Sequence, residues 1–427
     1  MAKICLKCGN TLDDDAKFCP QCGSEYGAAP VCSKCGHELT PGARFCPGCG
    51  AEQAFDQNPG PNPNPGGTGE SYFKKGIDTF VTTINSMAGE TGKVDIHVKE
   101  LFSEVFKKHT QEEKDELFVC GTGKTTPKES EMVSEWPRPW LYSRVFLMFA
   151  VVFAGLYFMV MELGNSNAIP GAMFVGALLV PLTVMIFLWE VNVPRNISFV
   201  DVISVFFVGG VFSLVVTLIL FEIFPAGELN YTGAIIVGIV EEVGKAIPVA
   251  YYIRKRNTRY KLNGLLLGSC VGAGFAVFET AGYAFRFLLN YGSLNVMMDV
   301  LFQRGILAIG GHVVWAAISG VGLVVAKGDE PLQAKHLYSG AFLKFLVLVA
   351  ALHAVWDMPI EFGSEYNLVQ WVLTAIALAT VLVLLGSGLR QVSTIAKQAQ
   401  EVEAQQRESG AAPEPAQEES GVVSVQE

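Results

Sequence analysis

The chain has 427 residues, half of them hydrophobic, and a net charge of −10. The length suggests two or three domains. The acidic balance excludes nucleic acid as the main partner, because phosphate binding needs a clustered positive surface. Charge is concentrated in the flanks, and residues 144–389 are strongly apolar.

Eight of the ten cysteines fall in the first 49 residues. Cys5, Cys8, Cys19 and Cys22 read C-x2-C-x10-C-x2-C, and Cys32, Cys35, Cys46 and Cys49 repeat the spacing 27 residues later. Leu12, Ala16 and Phe18 recur as Leu39, Ala43 and Phe45. Each C-x2-C turn can put two thiolates on one ion, and two turns complete a tetrahedral site with no open position. Units this small cannot bury enough core to fold alone. Zinc would supply the deficit, at roughly 10–16 kcal/mol per structural site. No apolar signal precedes Cys5, which places these thiols in the reducing cytoplasm and favours metal over disulfides. The expectation is two structural zinc ions, with His37 a solvated turn residue. The units resemble the zinc-ribbon modules of many bacterial membrane proteins, which implies a contact or sensing role, such as binding a cytoplasmic partner.

Residues 53–70, rich in Pro, Gly and Asn, read as a linker. Ser71 to Met87 and His97 to His109 carry helical periodicity, giving a cytoplasmic juxtamembrane region over 71–143. The "CGTGKTTP" stretch at 120–127 is no phosphate loop, since position 118 is Phe where that motif needs Gly. Residues 391–427, rich in Gln, Glu, Ala and Ser, read as a disordered tail.

Eight apolar runs meet the roughly 20 residues a bilayer crossing needs: 144–163, 169–190, 199–224, 232–253, 262–290, 304–326, 337–360 and 367–390. The fold class is therefore an all-α polytopic membrane protein, preceded by two ribbons. Arg195, the run Arg254 to Lys261, Lys327 with Lys335, and Arg390 mark one set of loops, and the alternate connections have no Lys or Arg. The positive-inside rule then puts both termini in the cytoplasm.

Ionisable groups deep in a bilayer are costly and functional by default. The deep set is Glu241, Glu242, Lys245, Glu279, His312, His353 and Asp357, on four consecutive spans. From the helical rise, Glu241 lies about 14 Å, Glu279 about 15 Å, His312 about 12 Å and His353 about 10 Å below the outer edge. Four residues far apart in sequence thus share one layer. Glu241 and Lys245 are i,i+4 partners, Glu242 points about 100° away from Glu241, and Asp357 is one turn from His353, able to orient its ring. Gly268 and Gly272 permit a close helix contact. Trp315, Trp356 and Cys270 read as core, and Lys344, Arg286, Arg304, Glu190 and Glu222 as interfacial residues that snorkel or pair locally.

Two carboxylates and two imidazoles in a dry layer suit hydrolysis. A carboxylate can act as general base, and the same residues can hold a catalytic zinc or stabilise an oxyanion without one. Proton- or ion-coupled transport uses similar groups, but the inverted repeats of such transporters are absent here. A non-catalytic scaffold or sensor acting through the ribbons is the third reading.

The motifs in order break the tie. "EEVGK" at 241–245 fits E-E-x-x-K, "FAVFE" at 275–279 fits F-x-x-x-E, His312 precedes Gly320 by eight residues, and "HAVWD" at 353–357 fits H-x-x-x-D. The series over 144–390 resembles the PrsW family of intramembrane proteases, related to the CAAX prenyl protease and bacteriocin-processing superfamily. The resemblance implies hydrolysis of a membrane-anchored protein near the outer face of the cell membrane, such as an anti-sigma factor. It also implies Glu241 as general base. Glu242, Glu279, His312 and His353 would position water or metal, Asp357 would orient His353, and Lys245 would balance charge. Relatives with F-x-x-x-H carry His where this chain has Glu279, which leaves the metal question open.

Overall fold

The computed structural model describes residues 3–4, 11–12, 47–49, 69–92, 94–132 and 135–408. The chain forms two compact units, Met1–Lys75 and Gly76–Glu427. In the first, strands β1 (Lys3–Ile4) and β2 (Thr11–Leu12) pair antiparallel, with Lys3 opposite Leu12. Of the eight ribbon cysteines only Cys49 is described, in an exposed turn. The other seven, and the expected linker up to residue 68, lie outside the described residues.

The juxtamembrane region holds helices α1 (Gly69–Met87) and α2 (Gln111–Phe118). The helix expected over 97–109 is absent; Glu100–Phe102 form a single 3-10 turn. The helix starts after Thr110 because that residue closes a capping box. The Glu113 N–H donates to Thr110 Oγ1 at 3.2 Å, and the Thr110 N–H donates to Glu113 Oε2 at 2.7 Å.

The apolar helices follow as α3 (Leu141–Met161), α4 (Ile169–Glu190), α5 (Phe199–Ser204), α6 (Gly210–Ile223), α7 (Tyr231–Arg256), α8 (Lys261–Tyr291), α9 (Leu294–Leu307), α10 (His312–Lys327), the short α11 (Ala334–Leu337), α12 (Gly340–Asp357) and α13 (Leu368–Glu408). A π-helical turn, Val205–Gly209, fuses α5 to α6 as one span. Seven segments of the described residues are long and apolar enough to cross a membrane. The eighth expected span, α7, has the length at 26 residues but carries Glu241, Glu242, Lys245 and a basic last turn. The protein is therefore multi-pass, and α7, the expected span that falls outside these seven, is the helix that holds Glu241, Glu242 and Lys245.

Two boundaries differ from the sequence reading. The run expected as one span over 304–326 is broken: α9 ends at Leu307, a 3-10 turn covers Ala308–Gly310, and α10 begins at His312 after Gly311. The tail expected to be disordered from 391 is helical to Glu408. Its polar residues have partners, since Ser130 Oγ donates to Glu403 Oε1 at 2.6 Å and Gln400 Nε2 donates to the Ser130 carbonyl at 2.8 Å.

Helix α8 is the buried axis of the bundle. Its glycine pair does what the pattern predicted. A Cβ on Gly268 would fall 2.1 Å from the Ala316 carbonyl oxygen, and one on Gly272 would fall 2.3 Å from that of His312. Only hydrogen at these positions lets α10 approach, and it sets the height of His312 against α8. Glu190, expected to be interfacial, instead caps α3 from the end of α4. Its carboxylate accepts the N–H groups of Trp140, Leu141 and Tyr142, each at 2.8 Å.

One end of the bundle is braced by the juxtamembrane region. Glu129 pairs with Arg259 and accepts the Tyr260 hydroxyl at 2.8 Å. Burial, then the Glu129 carboxylate, push the Tyr260 phenol up to about 12, so it stays a neutral donor. Lys261 pairs with Glu90 at 2.6 Å.

Candidate functional site

The site is assembled by α7, α8, α10 and α12. Asn230 starts α7 by accepting the Thr232 and Gly233 N–H groups, both at 3.0 Å. Three turns on, Glu241, Glu242 and Lys245 are all buried. The two acids diverge, as the 100° step between neighbours requires. Glu241 faces a cavity of about 710 Å³, whose wall also includes Glu279, His312, Trp315, His353 and Asp357. Glu242 turns inward and is fully buried.

Two chains of contact converge on Glu241. In the first, Lys245 Nζ lies 2.5 Å from Glu242 Oε1, and the same oxygen lies 2.8 Å from His353 Nδ1. That leaves His353 Nε2 facing Glu241 Oε2 at 3.6 Å. In the second, Arg304 pairs with Glu279, whose Oε2 lies 2.9 Å from His312 Nε2. That leaves His312 Nδ1 at 3.9 Å from Glu241 Oε2. Each chain runs cation, carboxylate, imidazole.

The protonation pattern follows from donor counting. An ammonium only donates, so His312 Nδ1 accepts from Lys245 Nζ at 2.7 Å. The neutral ring then carries its proton on Nε2 and donates to Glu279. Aromatic contacts fix both rings. His353 lies over Trp315 with centroids 4.6 Å apart, and His312 meets Phe275 edge-on at 5.1 Å.

The residue set fits a divalent metal. Donor atoms of Glu241, His312 and His353 lie within 4.8 Å of one another. Glu241 Oε2 is buried with no hydrogen-bond partner among the described residues. Both imidazoles are held from their far nitrogens by carboxylates, the usual support of metal-bound histidine. Two His and one Glu with an open side is a catalytic zinc donor set. His312 Nδ1 has one lone pair, so binding such an ion there would displace the Lys245 donor.

All seven residues expected from sequence meet here, with two changes of partner. Lys245 pairs closely with Glu242 rather than Glu241, which stands 4.0 Å away, because Glu241 is turned to the cavity. His353 is held chiefly by Glu242; Asp357 is 3.4 Å from Nε2, on the cavity side. Arg304, read as interfacial, is instead a wall of the cavity bound to Glu279. Its signal was present: a charge inside an apolar run needs a partner. Trp315 packs, as expected, and also lines the cavity beside His353. Cys270 is core.

Residues 200–385 match the profile described as PrsW family intramembrane metalloprotease, and residues 5–51 match that of the double zinc ribbon. The protein named Protease PrsW from Clostridioides difficile (strain 630) is 24% identical over 188 residues, covering 42% of this chain and 75% of that relative. No solved structure matches.

Proposed function

We propose that the membrane domain, whose residues 200–385 match the PrsW-family profile, is an intramembrane endopeptidase with Glu241 as its general base and the cavity as its peptide-binding cleft. The observation that carries this reading is the unpartnered, buried Glu241 Oε2, aimed between two imidazole nitrogens at 3.6 and 3.9 Å.

In the reaction, water adds to the scissile carbonyl carbon as its proton passes to the Glu241 carboxylate. The carbon–nitrogen bond then breaks, and the proton leaves on the new amine. His312 and His353 hold the attacking water, and their placement comes from Glu279 and Glu242. Lys245 and Arg304 balance those two buried carboxylates. A zinc ion held by Glu241, His312 and His353 would polarise the carbonyl and bring the pKa of bound water to about 7. With such an ion bound, Glu241 would be both one of its donors and the proton acceptor.

The substrate is a membrane-anchored protein. We place its cut toward the outer face, and the resemblance to PrsW proteases suggests an anti-sigma factor as the substrate. The cavity wall includes Pro225, Ala226, Gly227 and Leu229 of the α6–α7 connection and Asn367 after α12, at the end opposite the basic loops. Arg259, Arg144 and Arg390 all contact the juxtamembrane region at the other end, to Glu129, the Val105 carbonyl and Asn85. Under the positive-inside rule that end of the bundle is cytoplasmic, in the cell membrane, and both termini are assigned to the cytoplasm. There the ribbons are free to bind a cytoplasmic protein.

New protein amino termini in membranes of cells expressing wild type or Glu241→Gln, at matched levels, test the reading. Termini found only with wild type, near the outer ends of single-pass proteins, are expected. Identical sets across growth conditions, with both proteins folded, would overturn it in favour of transport or scaffolding.

A further inference from the structure

We infer that Arg304 is a positioning residue of the site: through Glu279 it fixes His312 in the tautomer that turns Nδ1 toward Glu241. The inference rests on the site described above and assigns a role to a residue outside its motifs.

Arg304 is on α9 and His312 opens α10. Eight residues along an unbroken helix would separate them by about 12 Å and turn them about 80° apart. One carboxylate oxygen could not serve both. With the chain broken at 308–311, Arg304 Nη2 and His312 Nε2 both donate to Glu279 Oε2.

The guanidinium is itself held. Its Nε donates to Thr280 Oγ1 at 3.3 Å, and its carbon lies 4.4 Å from the Tyr283 ring centre. A planar fork bound on two sides sets where the Glu279 carboxylate can rest, which a flexible ammonium would not do. Without it, Glu279 can rotate off His312, and the imidazole loses one of the two contacts that keep its proton on Nε2, leaving only the Lys245 ammonium at Nδ1. Nδ1 would then carry the proton part of the time and could neither accept from Lys245 nor bind an ion. The tautomer required is the same with or without metal.

The test uses the full chain with ¹⁵N-histidine in lipid nanodiscs, His312 being identified by the signals lost in His312→Gln. Wild type is expected to show one tautomer, protonated on Nε2. Arg304→Gln should mix the two tautomers, bringing the paired nitrogen shifts together, while His353 keeps its wild-type signals. Arg304→Lys, which retains charge and fold, should fall between. A His312 that stays purely Nε2-protonated in both variants would overturn the inference, as would Arg304→Lys matching wild type if Arg304→Gln does not fold. No cleavage is needed for this readout, so its failure is separate from failure of the protease reading.

Discussion

Arg304 and His312 stand on opposite sides of a helix break, yet both donate to Glu279 Oε2. The mirror relationship holds at Glu242, which binds Lys245 on one side and His353 on the other. The centre is thus two imidazoles, each backed by a carboxylate and a cation, facing a third carboxylate. This arrangement makes four separate demands that can be measured.

Glu241→Gln should abolish cleavage, with a loss of at least the roughly 10²–10⁴-fold expected for a general base. Stability should not fall, because Glu241 Oε2 makes no hydrogen bond among the described residues. Cleavage rates beside thermal melts in detergent check both halves. A large loss of melting temperature would mean Glu241 is structural.

Lys245→Met should destabilise the protein by about 3–5 kcal/mol, because it leaves Glu242 charged and fully buried without its 2.5 Å partner. Adding Glu242→Gln should restore much of the stability while leaving activity low. Unfolding of the three variants under increasing denaturant would show whether the cost comes from the orphaned charge.

Gly272→Ala should cost activity through position alone. Its Cβ would meet the His312 carbonyl oxygen at 2.3 Å, so α10 must move away from α8. A shift of about 1 Å at His312 is expected to slow turnover about 10²-fold. Gly282→Ala, at a position with open space on the same helix, is the control and should be neutral.

Metal content should separate the two regions. The full chain is expected to carry two zinc ions lost on replacing the ribbon cysteines, and a third lost in His353→Ala. Elemental analysis of the purified variants decides this. A third ion that survives His353→Ala would place it outside the membrane centre.

Much of this centre was legible in the sequence because its residues are expensive. Glu241, Glu242, Lys245, Glu279, His312, His353 and Asp357 stand out in apolar spans, and helical rise alone put four of them at one depth. The pairing was harder. Glu241 and Glu242 both lie within one turn of Lys245, and only the direction of the cavity decides which one it binds. The break before His312 was hidden because Ala308, Ile309, Gly310 and Gly311 keep the run apolar. With it went the role of Arg304, which a continuous helix would carry away from His312. The helical end of α13 was missed for a different reason: Gln400 and Glu403 look like a solvated tail until Ser130 is found beside them.

The most direct test of the central claim is cleavage by purified protein in liposomes. The substrate would be a single-pass protein whose new terminus depended on Glu241 in cells, and the assay would run in H₂¹⁸O. Wild type is expected to cleave with one ¹⁸O in the new carboxylate, and Glu241→Gln not at all. Equal cleavage by both proteins would contradict the central claim.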